Sequence, residues 1–270
     1  MDTFLTLRHA YRGHRTALLA LLLPLFMACS KDEVVKQPTT DYGPSVSVGA
    51  GTARSFVAAD ASGKPTEIGV AITETALTGL PATPAMGTMY DLALPGSGQA
   101  TTQMPFDHIS FGWNPNGHEP VPIYGIPHFD AHFYLQTMTV QHTITLDDPK
   151  GDVLPPAAML PTGYITPPNV APGRTVPMMG RHWVDTSSPE YTPGGTFSQT
   201  FIYGSYNGHI TFIEPMFTKA LLVPNVSVDQ PIKQPTNYET TGKYFPTRYT
   251  IRHDGTTHEY IISMKDMVLR

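Results

Sequence analysis

The stretch Pro127-His128-Phe129-Asp130-Ala131-His132-Phe133-Tyr134 sets two imidazoles and a carboxylate on alternate positions, with Phe129, Ala131 and Phe133 between them. A period of two is that of a β-strand, so one face is titratable and metal-competent and the other apolar. Imidazole with carboxylate suits a transition ion such as zinc, iron or manganese. Strand geometry limits how they share one. Residues two apart are separated by about 6.6 Å and residues four apart by about 13 Å. His128 with Asp130, or Asp130 with His132, can meet on one ion; His128 with His132 can do so only if the strand bends. Such a site needs completion from elsewhere. The natural donors are His182, His118 and Glu214, in Gly180-Arg181-His182-Trp183, Gly117-His118-Glu119-Pro120 and Phe212-Ile213-Glu214-Pro215-Met216. The competing expectation is a buried polar network in which His pairs with Asp and backbone groups or tyrosine hydroxyls supply the remaining bonds. His118-Glu119 then reads as a turn pair, and His182 beside Trp183 as a packing histidine. His142, His253 and His258 lie in ordinary strand patterns and carry no assignment.

Other chemistries lack a signature. The chain has no Gly-x-Ser-x-Gly elbow, no phosphate loop and no dinucleotide fingerprint. Its single cysteine, Cys29, falls at the end of an N-terminal targeting pattern. Arg8, Arg12 and Arg15 give a basic start, and Ala17 to Ala28 is apolar but too short to span a bilayer. Leu25-Phe26-Met27-Ala28-Cys29 resembles a bacterial lipoprotein signal in which residues 1–28 are removed and Cys29 is lipidated. Ser30-Lys31-Asp32-Glu33 resembles the surface-export tag of Bacteroidetes-type lipoproteins. Residues 29–43 then form a polar tether, and residues 44–270 a single domain. These features imply an outer-membrane or cell-surface address, with the membrane as partner through the lipid. Acylation of Cys29 leaves no thiol for disulfides or thiol catalysis, so stability rests on a core, a metal or assembly, a homo-oligomer included. Losing Arg8, Arg12, Arg15 and Asp2 takes the net charge from −5 to −7. With no basic stripe, nucleic-acid binding is not expected.

The elements that must position the histidines read as all-β. Proline (27) and glycine (23) are abundant and charged residues few (14%), which disfavours long helices and favours short strands joined by turns. Strands are expected at 45–48, 54–58, 68–72, 89–94, 108–113, 129–135, 138–146, 182–184, 196–203, 210–213 and 221–223. A C-terminal hairpin is expected from 248–253 and 258–264 around Asp254-Gly255. Thr73 is placed to cap one short helical stretch ending at Gly79 and Pro81. Residues 154–176 read as a long Pro/Gly-rich loop. The expectation is one antiparallel β-sandwich or barrel-like domain with at most one or two short helices.

The blocks Gly117-His118-Glu119-Pro120, Pro127-His128-Phe129-Asp130-Ala131-His132-Phe133-Tyr134 and Phe212-Ile213-Glu214-Pro215-Met216 share their order with further motifs. These are Ile68-Gly69-Val70, Leu77-Thr78-Gly79-Leu80-Pro81, Gly180-Arg181-His182-Trp183 and Phe201-Ile202-Tyr203-Gly204-Ser205. Together they resemble a small family of secreted or lipid-anchored bacterial proteins classed as a domain of unknown function. The resemblance implies a β-rich, extracytoplasmic domain and no substrate. Glu119 departs from it, since proline is frequent there in the family, which argues against Glu119 as a ligand. The functional expectation is a lipoprotein that binds a metal or small ligand without turnover. A cupin-like metal-dependent oxygenase or hydrolase is the alternative, weakened by the missing His-x-His pair. A structural or assembly protein with a buried His–Asp network is the third.

Overall fold

A computed structural model describes residues 36–83, 87–96, 98–167 and 175–270. Cys29 and the Ser30–Glu33 tag lie outside the described residues, as do residues 1–28. In chain order the first strands are β1 (Thr39–Tyr42), β2 (Val46–Val48), β3 (Gly51–Ala59), β4 (Pro65–Thr73), β5 (Thr88–Ala93) and β6 (His108–Asn114). There follow β7 (His128–Tyr134), β8 (Tyr164–Ile165), β9 (Arg181–Asp185), β10 (Gln199–Tyr206) and β11 (His209–Thr218). The last are β12 (Ser227–Pro231), β13 (Tyr244–Phe245), β14 (Arg248–Asp254), β15 (Glu259–Lys265) and β16 (Val268–Leu269). The α-helices α1 (Gln99–Thr102), α2 (Val121–Tyr124) and α3 (Met138–Gln141) are single turns.

The strands make two seven-stranded sheets and a two-stranded pair, β13 with β16. The first sheet runs β1-β3-β4-β15-β14-β12, with β2 also paired to β3, and the second runs β5-β6-β7-β11-β10-β9-β8. All pairings are antiparallel. Alternation along each strand sends one set of side chains into a common core. Val57, Ile68, Val70, Ile251 and Ile262 from the first sheet join Ile109, Phe111, Phe129, Phe133 and Phe217 from the second. Phe201 and Tyr249 meet across the two sheets with ring centroids 5.2 Å apart. The fold is thus the all-β sandwich that the composition implies.

Several local expectations are corrected. Residues 138–146 form no strand. Thr137 accepts a bond from the Val140 amide and α3 follows, because a short polar run that starts at a capping threonine suits one helical turn as well as a strand. Residues 221–223 close a 3-10 turn, Lys219–Leu221, rather than a strand. Thr73 does not cap the turn after it. Its hydroxyl accepts from the Thr52 amide, and a 3-10 turn, Glu74–Leu77, follows. The end of the expected tether is ordered, since Thr39–Tyr42 pairs with Phe56–Ala59 as β1. The long loop contains a 3-10 turn, Ala157–Met159, and β8.

In the second sheet β7 is a central strand between β6 and β11, and all seven of its residues are buried. Its inner face joins the sandwich core. Its outer face is covered by a second apolar cluster, Tyr124, Val184, Phe197, Ile202 and Met216. These come from α2, β9, β10, β11 and the segment before β10. On the outer face at Gly204 of β10, a methyl group would meet the Phe212 ring at 2.0 Å. Phe212 in turn packs edge-on against both His132 and His182, with centroids 4.9 and 5.4 Å away. Gly204→Ala should therefore overpack this layer and cost about 1–3 kcal/mol. Thermal unfolding checks it, and an unchanged Tm would contradict the packing described.

Candidate metal centre

The polar outer face gathers every residue singled out as a metal donor, but in two groups rather than one. His118, His128 and Asp130 form one triad, and His132, His182 and Glu214 the other. Within each triad, one ligand atom per residue lies within 4.8 Å of the others. Each triad is two imidazoles and one carboxylate. Asp130 and His132 do not share a group, which corrects one of the two pairings that strand spacing allowed. The division follows from register. Asp130 lies opposite Gly112 of β6 and Met216 of β11, and His132 opposite Ser110.

The first triad is built from β7 and one loop. Gly117, at φ +67°, turns the chain after β6 where a side chain would meet the Tyr124 carbonyl at 2.0 Å. The turn brings His118 edge-on to His128, with centroids 4.6 Å apart. His128 Nε2 stands 3.3 Å from Asp130 Oδ1, and His118 Nε2 stands 3.6 Å from Asp130 Oδ2. The other ring nitrogens fix what those contacts mean. His128 Nδ1 lies 2.7 Å from the Ile126 carbonyl oxygen, and His118 Nδ1 lies 2.8 Å from that of Glu119. A carbonyl can only accept, so both Nδ1 atoms carry protons; His128, whose pKa burial lowers, turns an Nε2 lone pair toward Asp130, and His118 does the same in its neutral form. Two lone pairs and a carboxylate thus converge. His128 Nε2 and Asp130 Oδ1 are buried without a hydrogen-bond partner. Asn114 Nδ2 donates to Asp130 Oδ2 at 2.6 Å and orients the carboxylate. This is the second tier of bonds that metal-binding imidazoles and carboxylates ordinarily have. Tyr124 and Phe197 wall the triad, and His118, with 37% of its side chain exposed, opens it to solvent.

The second triad joins three strands. Pro215 has no amide to offer β7. Between the pairs Ile213↔Phe133 and Met216↔Asp130, Glu214 faces His132, with Oε2 3.3 Å from His132 Nε2. His182 reaches the same place from β9, opposite Gly204. Glu214 Oε2 is buried and has no hydrogen-bond partner.

Burial and mutual charge decide the protonation of the cluster. Burial pulls the His132 imidazolium down to about 4, against the opposing pull of Asp130. Burial and then the neighbouring His132 bring His182 to about 3. Burial also lowers His128. Burial works to lower His118, but the Asp130 carboxylate 3.6 Å away and the Glu119 carbonyl together outweigh it and raise the imidazole. Burial works to raise Asp130, yet its interactions with the neighbouring His128 and His118 hold it low. Glu214 is pushed well above the carboxylate range by burial and then by Asp130. His128, His132 and His182 are therefore neutral at neutral pH, and Glu214 holds its proton to higher pH than an ordinary carboxyl.

Beside the triads runs a separate polar chain. His108 pairs with Gln141 at 2.8 Å, Gln141 Nε2 donates to Ser110 at 3.3 Å, and Ser110 donates to Asp91. This network is satisfied, unlike the triads. Asn114 and Ser110 carry no assignment in the sequence analysis. Their signal is β6 itself, His108-Ile109-Ser110-Phe111-Gly112-Trp113-Asn114, which alternates small or polar with apolar as β7 does. Glu119 is not in either triad, while His142 and His253 lie near acidic side chains elsewhere, Asp91 and Glu74.

One family model matches part of the chain. It is described as TTHB210-like, Hypothetical protein TTHB210, and covers residues 60–113. That segment runs from the turn before β4 to Trp113 of β6 and stops short of both triads. No curated protein and no solved structure matches the chain.

The raised Glu214 has a consequence for stability. A carboxyl whose folded pKa lies above its unfolded value adds stability that is present in acid and lost as pH rises through the folded value. Chelator-treated protein should therefore lose stability as pH rises above the ordinary carboxylate range, by about 1.4 kcal/mol per unit of displacement. Glu214→Gln should flatten that loss. Urea unfolding at several pH values measures it, and a parallel pH dependence in both proteins would contradict the assignment.

Proposed function

We propose that this is an extracytoplasmic, lipid-anchored protein whose folded domain binds a divalent transition ion through His118 Nε2, His128 Nε2 and the Asp130 carboxylate. One observation carries the reading. Both histidines donate Nδ1–H to backbone carbonyls, so that with the rings neutral two Nε2 lone pairs and a carboxylate face each other in a largely buried site. Three acceptors repel one another there unless a proton or a cation lies between them. A His–Asp network of purely structural role would instead be expected to aim an N–H of the buried His128 at the carboxylate, as the His108–Gln141–Ser110 chain aims its donors. Imidazole with carboxylate favours zinc, and iron or manganese next.

The lipid anchor rests on the sequence. Cys29 follows the apolar run, and Ser30-Lys31-Asp32-Glu33 stands directly after it. The expected address is the outer membrane or cell surface.

A second reading, a metal-dependent hydrolase or oxygenase, is favoured by ligand count. Three protein ligands leave coordination positions for water or substrate, as catalytic rather than structural sites do. The exposed edge of His118 gives a route to them. An ion held there would supply Lewis-acid activation of a bound water. The chain's own part is to hold that ion, with Asn114 fixing the carboxylate and Tyr124 and Phe197 restricting solvent.

Elemental analysis of untagged protein purified without chelator tests the reading. Metal well below one equivalent would contradict it. His128→Ala should abolish binding at this triad, and Asn114→Ala should weaken it by roughly 10–100-fold. For the anchor, Cys29→Ser should move the protein from the membrane fraction to the soluble one, and unchanged membrane attachment would overturn lipidation.

A further inference from the structure

We propose that His132, His182 and Glu214 hold a second divalent transition ion, making the outer face of the second sheet a two-ion centre. The proposal extends the metal reading above but uses none of the same ligands, so the two can fail separately.

The donors come from three strands of one sheet, the adjacent β7 and β11 and, across β10, β9, which hold ligands more precisely than loops do. Their ligand atoms already lie within 4.8 Å of one another. The second, independent mark is Glu214. Its side chain is 2% exposed, and its Oε2 is buried, without a hydrogen-bond partner, and 3.3 Å from His132 Nε2. A buried polar atom left unpaired costs about 1–3 kcal/mol, and a sheet that retains one beside two imidazoles is built to coordinate something there. Pro215 contributes by opening the ladder between Ile213 and Met216, where Glu214 faces His132.

Phe212 keeps the rings in place. It packs against both His132 and His182, and Gly204 leaves the space that it occupies. The ligand type follows from the donor set. Two neutral imidazoles and one carboxylate match zinc or another borderline ion, whereas calcium and magnesium call for oxygen ligands. The two triads are distinct because His128 and His132 stand four residues apart on an extended strand, about 13 Å along it. They are also neighbours, because Asp130 and His132 are consecutive on the outer face of β7, about 6.6 Å apart.

The test is a titration of chelator-stripped full-length protein with cobalt(II), followed by its visible absorption, and with zinc(II), followed by calorimetry. Wild type should saturate at two equivalents. His182→Ala and Glu214→Gln should each bind one, and His128→Ala should also bind one, at the second triad. A wild-type break at one equivalent that survives Glu214→Gln and His182→Ala would overturn this proposal and leave the first triad standing. A single equivalent lost in Glu214→Gln but kept in His128→Ala would support the second triad and overturn the first. No binding at all would overturn both. A wild-type break at two equivalents carries the proposal without any variant, and the nearly isosteric Glu214→Gln assigns a break at one.

Discussion

A strand buried on both faces cannot leave its polar side chains to water. β7 is such a strand, and it carries two histidines and an aspartate on the face away from the sandwich core. Every feature of that side of the molecule answers to this constraint. Asn114 holds one carboxylate oxygen of Asp130, the Ile126 carbonyl accepts a hydrogen bond from His128 Nδ1–H, and the Gly117 turn brings His118 to the remaining side. After these bonds are made, His128 Nε2 and Asp130 Oδ1 still have no hydrogen-bond partner. The satisfied chain from His108 to Asp91 on the same face shows that the sheet can complete a polar network.

The electrostatic order of the cluster follows from the same burial. Four imidazoles and two carboxylates sit together, and desolvation disfavours charge on all of them. Asp130, flanked by His118 and His128, is held low, whereas burial and then Asp130 push Glu214 up. The face is therefore poorer in negative charge than its composition suggests, and rich in neutral nitrogen donors. Such a set discriminates in favour of transition ions over hard cations.

Much of this was legible in the chain. The period of two in β7 predicted its polar and apolar faces, and the composition predicted the sandwich. The three outside donors, His118, His182 and Glu214, were also recognisable from their company. The division into two triads was not, because it depends on which residues of β6 and β11 lie opposite β7, on the pairing of His182 with Gly204 of β10, and on a loop closed by Gly117. The same pattern in β6 held the information about Asn114, but only pairing with β7 gives it meaning. The strand expected at 138–146 failed because period-two polarity over a few residues also fits a capped helical turn. Short strands such as β8, β12, β13 and β16 were missed because edge pairs of two to five residues carry too little hydrophobic alternation to stand out.

The central claim is that the lone pairs of His118 and His128 and the carboxylate of Asp130 converge on a metal ion. Anomalous diffraction from crystals of metal-loaded protein, collected at the absorption edge of the ion, tests it most directly. The account predicts a peak about 2.0–2.2 Å from both Nε2 atoms and from an Asp130 carboxylate oxygen. No peak there, with the site filled instead by water or by N–H groups turned toward Asp130, would contradict it.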